Sequence, residues 1–279
     1  MYISGVRVDF ELNKEQILAK IDALIAGGNS HLISTVNPEF IMAAQNDREF
    51  KRILNSSSIC VPDGSGLFFA RDFLTTVSHW ERNFLFPIKA FIYGSLFWLT
   101  KRYQTVTGAD LLFNICSNAD NKGYTVFFLG GQSDKYDVAH NLATYMSSKY
   151  KNMNVVGTAS KFVYSEQDDD KTLQYIHKCM KERHVNKIDI LFVAYGHNRQ
   201  ESWIIRNNEK IPAKVAIGVG GSFEFAIGLQ KRASKVVQSM NLEWLFRLIM
   251  QPSRIGRVLV AFPIFPLFIF YSVVRKCFK

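Results

Sequence analysis

The chain has 279 residues, of which 48% are hydrophobic and 21% charged, and a formal net charge of +10. That balance excludes a disordered or low-complexity chain and leaves enough apolar surface for one large domain or two small ones. The four cysteines form no C-x-x-C pair and the six histidines no H-x-H or H-x-x-x-H pair, so a zinc site is not expected.

The first residues, MYISGVRVDFELNKEQ, are charged early and lack an apolar core. No secretory signal is read there, and scattered single cysteines fit a reducing cytosol. Residues 13–26 carry apolar side chains at 17, 18, 21, 24 and 25, a helical spacing behind an Asn13/Gln16 capping box. HLISTV (31–36) reads as a strand, and NPEFIMAAQ as a helix with Asn37 as cap and Pro38 in its first turn. SSICV is a second strand, stopped by Pro62-Asp63-Gly64, and GSGLFFARDF is a helix. Within 78–103 lies an apolar insertion, FLFPIKAFIYGSLFWL (84–99). Lys89, Pro87 and Gly94 argue against a spanning helix there and suit a segment that leans on a membrane surface. Further along, 107–120, 134–150, 167–184 and 198–208 read as helices, and 124–130, 154–157, 187–196 and 214–221 as strands.

Continuous apolar strands alternating with helices predict a Rossmann-like α/β fold over 1–230, with a mostly parallel sheet covered on both faces. Residues 231–279 form a separate basic appendage. From Gln230 to Lys279 there are nine Lys or Arg and one acid, Glu243, so this segment carries +8 of the net charge. Residues 258–274 contain no charge and are flanked by Arg254, Arg257, Arg275 and Lys276. A nucleic-acid surface has no need of that apolar run, whereas a membrane-binding segment with cations at the headgroups does. Pro263 and Pro266 favour a segment lying in the interface or entering one leaflet over a true span.

Ligands of open α/β sheets bind at the carboxyl ends of the strands. Here these ends carry Thr35-Val36-Asn37, Pro62-Asp63-Gly64, Gly130-Gly131-Gln132, Tyr195-Gly196 and Gly220-Gly221. Neither a G-x-G-x-x-G nor a Walker loop is present. Two glycine pairs on strands of one sheet suit a ligand that contains a diphosphate. Asp63 has the residue type of a general base, but Pro-Asp-Gly is also a strong turn former, and the local sequence favours the turn. Glu201 reads locally as an acid compensating a helix dipole. Asp168-Asp169-Asp170 resembles the D-x-D metal pair of some sugar-nucleotide transferases, yet it sits at a helix start, where capping explains it.

The segments TVNPEF (35–40), VPDGSGL (61–67), TGADLL (107–112), VFFLGGQ (126–132), ILFVAYGHNRQE (190–201), AIGVGGSFEFAIGLQKRAS (216–234) and LEWLFRLIMQPSRIGR (242–257) occur in one order. In this the sequence resembles the WecG/TagA/CpsF glycosyltransferases (glycosyltransferase family 26). The resemblance implies an inverting, metal-independent transfer of an N-acetylmannosamine-type sugar, or another hexose, with no cofactor. The donor would be a UDP-sugar and the acceptor a polyprenyl-diphosphate-linked sugar, in the synthesis of cell-surface polysaccharide at the cytoplasmic face of the membrane. It implies Asp63 as base, with Thr35, Asn37 and Gln200 in the same pocket. Gly64, Gly108, Asp110, Gly130, Gly131, Gly196, Glu201, Gly220, Gly221, Glu224 and Arg232 are assigned to substrate binding on the same ground, and Arg247, Arg254 and Arg257 complete the site.

The sequence departs from the family pattern in places. G-x-P-K-Q-E appears as Gly196-His197-Asn198-Arg199-Gln200-Glu201, the usual aspartate of V-G-G-x-F-D is Glu224, and R-A-P ends in Ser234. A longer link at 78–103 and a more apolar tail add to these. An alternative reading is a non-catalytic membrane-associated scaffold. Either reading allows a homo-oligomer and neither involves nucleic acid.

Overall fold

In the computed structural model, residues 1–101, 103, 107–131, 136–162, 164–230, 233–234, 237, 243–250 and 255–275 are described. A short antiparallel hairpin, β1 (Tyr2–Ile3) and β2 (Val6–Arg7), precedes helix α1 (Lys14–Gly27). The Asn13/Gln16 capping box is formed, with both bonds at 2.9 Å. There follow β3 (His31–Val36), α2 (Pro38–Asn46), α3 (Arg48–Ser56), β4 (Ile59–Pro62), α4 (Ser65–Ser78) and α5 (Phe86–Thr100). The second half holds α6 (Gly108–Lys122), β5 (Thr125–Gly130), α7 (Val138–Lys149), β6 (Asn154–Ala159), α8 (Glu166–Glu182), β7 (Ile188–Ala194), α9 (Arg199–Arg206), β8 (Ala213–Gly218) and α10 (Ser222–Ala226). Helices α11 (Glu243–Met250), α12 (Ile255–Leu259) and α13 (Phe265–Val274) end the described chain.

The six long strands form one parallel sheet in the order β4-β3-β8-β7-β5-β6. β3 feeds outward to β4, while β5 to β8 build the other half. The two halves meet at β3 and β8, which makes their carboxyl ends the switch point of the sheet. Side chains alternate between the faces. Val126 and Phe128 pack with α1, α6 and α7, whereas Phe127 and Leu129 pack with α8 and α9.

A third apolar cluster lies beyond the β4 edge. There Phe265, Ile269 and Val273 of α13 are buried together with Leu67, Ala70 and Phe73 of α4 and with Phe86 and Ala90 of α5. One stripe of the tail is thus core. Ile255–Val274 has the length and composition to cross a membrane. Phe262, however, takes extended dihedrals (φ −157°, ψ 128°) and splits the segment in two. Pro263 is the cause: it lacks an N–H and crowds the residue before it out of the helical region. The segment is therefore not one straight helix. In α5, Pro87 sits in the first turn, where proline suits a helix, so the insertion is a single helix.

Two further differences from the sequence reading have local causes, while the aspartate run agrees with the capping read for it. The N-terminal hairpin has two-residue strands, too short to show a period. Asp47 caps a separate helix, α3, by accepting from the Phe50 amide at 2.9 Å. The aspartate run is occupied structurally: Ser165 and Asp168 cap α8, Asp169 forms a two-pronged pair with Arg206 at 2.6 and 3.0 Å, and Asp170 lies 3.7 Å from Lys210.

Phe265 is fully buried. Truncation to alanine should lower the unfolding free energy of the full chain by about 3 kcal/mol or more. The measurement is a urea melt, and an unchanged midpoint would place α13 outside the core.

Candidate active site

At the switch point the loops after β3, β4, β7 and β8 and the start of α6 enclose a cleft of about 340 Å³. Asp63 lines it, presented just past the end of β4. Its backbone N–H donates to the Val36 carbonyl at 2.7 Å, so the ladder between β3 and β4 continues through the turn and fixes the aspartate. Its Oδ2 lies 3.8 Å from where a side chain on Gly108 would begin, and that same point is 3.0 Å from Ser222 Oγ. A larger residue at 108 would fill the space beside Asp63. The β3 residues Thr35 and Asn37 also line the cleft. Thr35 Oγ1 donates to the Gly218 carbonyl at 3.0 Å, tying β3 to β8, and Asn37 accepts from the Phe40 amide at 3.0 Å as the cap of α2.

Gln200 and Glu201 approach from α9. Gln200 Oε1 accepts from the Gly220 amide at 2.8 Å, and its Nε2 donates to Glu201 Oε1 at 2.8 Å. These two bonds fix which way the Gln200 amide points. The approach requires glycine at 218, because a Cβ there would sit 2.6 Å from Gln200 Nε2. Glu201 itself lies behind the cleft, with 0% exposure, and its Oε2 has no hydrogen-bond partner among the described residues. Burial pushes its carboxyl from 4.5 up to about 7, against the lowering effect of the Gln200 bond.

Cationic side chains close the cleft on the other side. Arg199 lines it from α9 and Arg257 from α12. Arg257 Nε donates to Glu39 Oε2 at 2.7 Å, which anchors the tail to α2 at the cleft mouth. His197 stacks edge-on against Phe40 with ring centroids 4.6 Å apart, and burial lowers its pKa. Among the described residues the start of α9 has no side-chain cap, and its Gln200 amide donates to the Gly196 carbonyl at 3.3 Å.

The model for the glycosyl transferase WecG/TagA/CpsF family matches residues 1–83 and 90–277. The chain belongs to this family. Relatives include the N-acetylglucosaminyldiphosphoundecaprenol N-acetyl-beta-D-mannosaminyltransferase of Bacillus subtilis (strain 168), 31% identical over 248 residues, 89% of this chain and 79% of that protein. The protein of the same name from Staphylococcus aureus (strain MRSA252) is 27% identical over 237 residues, 85% of this chain and 78% of its own length. The chain is therefore a glycosyltransferase.

Against the family motif, the glycosyltransferase differs most at residue 198. Asn198 adopts φ +66°, which a proline ring forbids, so the loop takes a shape that the family's G-x-P-K-Q-E cannot. Of the residues assigned from sequence, the cleft gathers Thr35, Asn37, Asp63, Gly108, Gly196, Gln200, Gly220, Gly221, Glu224 and Arg257. Five others fall outside its lining. Gly64 shapes the turn at the head of α4, and Asp110 accepts from Thr107 Oγ1 at 2.8 Å in the capping box of α6. Gly130 abuts the Ala194 backbone, Gly131 packs on Val138 and Phe223, and Glu201 backs Gln200. Arg232, Arg254 and the side chain of Arg247 lie outside the described residues.

Sequence reasoning passed over Tyr164 and Ser222, which line the cleft. Ser222 opens α10 directly after the Gly220-Gly221 pair, a position open to reading once that pair is placed at a strand end. No local signal marks Tyr164. It is held by Arg206, whose guanidinium lies 5.1 Å from its ring centroid while pairing with Asp169.

The folded chain holds the Glu201 proton to a higher pH than the unfolded chain does. Stability from this group is therefore intact below pH 4.5 and is lost as pH rises to about 7. The loss is on the order of 3 kcal/mol. Glu201→Gln, which keeps the acceptor for Gln200, should remove it. Urea melts at pH 5 and pH 8 should show a smaller drop in the variant than in the wild type, and equal drops would refute the assignment.

Proposed function

We propose that this glycosyltransferase moves an N-acetylmannosamine-type sugar from a UDP-sugar to the sugar hydroxyl of a polyprenyl-diphosphate-linked N-acetylglucosamine, inverting the anomeric carbon without a metal. The observation that carries the proposal is Asp63, a carboxylate at a ligand-bearing strand end, facing a cleft that also contains Arg199 and Arg257. Asp63 takes the proton of the acceptor hydroxyl as its oxygen forms a bond to C1 of the donor. The bond from C1 to the diphosphate oxygen breaks, and UDP leaves with the electron pair. Attack opposite the leaving group inverts C1. Arg199 and Arg257 supply the stabilisation that the departing diphosphate needs. The names of the relatives, which contain both the diphosphoundecaprenol acceptor and the mannosaminyl group, support the choice of substrates.

Such an acceptor confines the enzyme to a membrane surface, read here as the cytoplasmic face. On α5, Ile88, Ile92 and Leu96 form a stripe at helical spacing and are 59%, 53% and 58% exposed. Ile264 and Tyr271 are exposed on the tail. An apolar surface beside a basic tail suits peripheral binding to an anionic bilayer.

Asp63→Asn should lower transfer by about 10²-fold or more at unchanged stability, measured by product mass with a panel of UDP-sugars and a short-chain lipid acceptor. Turnover near that of the wild type would remove Asp63 from the base role. Transfer by the wild type with EDTA present, giving a product of inverted anomeric configuration by NMR, is the expected outcome. Ile88→Glu/Ile92→Glu should release the protein from phosphatidylglycerol vesicles, and unchanged sedimentation would locate the membrane contact elsewhere.

A further inference from the structure

A second cavity, of about 320 Å³, lies between α4, α5 and tail residues 262–270. Its walls are almost entirely apolar. Phe91, Gly94, Ser95 and Trp98 face it from α5, and Phe262, Pro263, Leu267 and Phe270 from the tail. Trp98 stacks on Phe262 with centroids 4.8 Å apart, and Phe91 meets Phe270 edge-on at 5.7 Å. This face of α5 differs from the face bearing Ile88, Ile92 and Leu96, which line no part of the cavity.

We infer that this groove holds the first isoprene units of a polyprenyl diphosphate, the chain of the acceptor, an assignment that rests on the function proposed above. Two observations select that occupant. The groove and the catalytic cleft share one chain segment. Arg257 lines the cleft, and Phe262, roughly 8 Å further along by helical rise, opens the groove. A ligand with its diphosphate near Arg257 therefore meets the groove with its hydrocarbon. The lining also suits that hydrocarbon, since aromatic rings and prolines give broad rigid faces to a branched, unsaturated chain. At the kink the Phe262 ring stacks on Trp98 and forms part of the groove wall.

The test compares the affinity of the full chain for geranylgeranyl diphosphate with that for inorganic diphosphate, by calorimetry in the absence of vesicles. The wild type should bind the prenyl compound tighter by roughly tenfold or more. Ser95→Phe, which fills the groove, and Leu267→Glu, which charges its rim, should each close most of that gap. Ile88→Glu/Ile92→Glu should keep it. The inference falls if the wild type shows no gap or if the gap survives in whichever groove variant folds. It also falls if the gap is lost only in the outer-stripe variant, or if dihexanoylphosphatidylglycerol displaces the prenyl compound as well as farnesyl diphosphate does, which would assign the groove to a bilayer acyl chain. A wild type that shows the gap but transfers no sugar to any acceptor would overturn the proposed reaction and leave the groove assignment standing.

Discussion

The hydrogen-bonded run from Glu201 through Gln200 to the Gly220 amide fixes the floor of the cleft. A fully buried carboxyl is an expensive group to carry, and here desolvation holds its proton on well above the usual carboxylate range. It orients the neighbouring amide in return. Thr35, bonded to the Gly218 carbonyl, locks β3 against β8 two residues before Gly220. The two halves of the sheet are joined at the point where the side chains of the site converge, and Asp63 inherits its position from the β3–β4 ladder.

The second constraint is the attachment of the tail. Arg257 pairs with Glu39 of α2, while Phe265, Ile269 and Val273 are buried against α4 and α5. The helix that follows the β4 strand is thus part of the same cluster as the tail. The tail that brings Arg257 to the cleft runs on into α13, which is packed on α4 and α5. For an enzyme whose acceptor is proposed to stay in the bilayer, this packing would couple membrane contact to the geometry of the cleft.

The glycosyltransferase family was legible in the sequence, and so was the order of strands and helices. Long apolar strands and capped helices declare themselves through periodicity and local hydrogen bonding, as Asn13/Gln16 and Asn37 do. The candidate base was legible only in part. Pro62-Asp63-Gly64 reads locally as a turn, and it is one. Whether that turn faces a ligand depends on β4 lying next to β3 at a switch point, a long-range fact absent from the motif itself.

What the sequence determined by itself was whatever depends on near neighbours: the strands, the caps, the kink that Pro263 imposes and the basic, apolar character of the tail. What only the tertiary structure decided was which of those features meet. It separated cleft residues such as Gly108 and Gly220 from packing glycines such as Gly130 and Gly131, brought Tyr164 and Ser222 to the site, and withdrew Glu201 behind Gln200. It also divided the tail into a buried stripe and an exposed one. The physical reason is one of range. Backbone preference and capping act within a turn of helix, whereas burial and the closeness of side chains are set by strand order, which joins residues such as Thr35 and Gly218 from opposite ends of the chain.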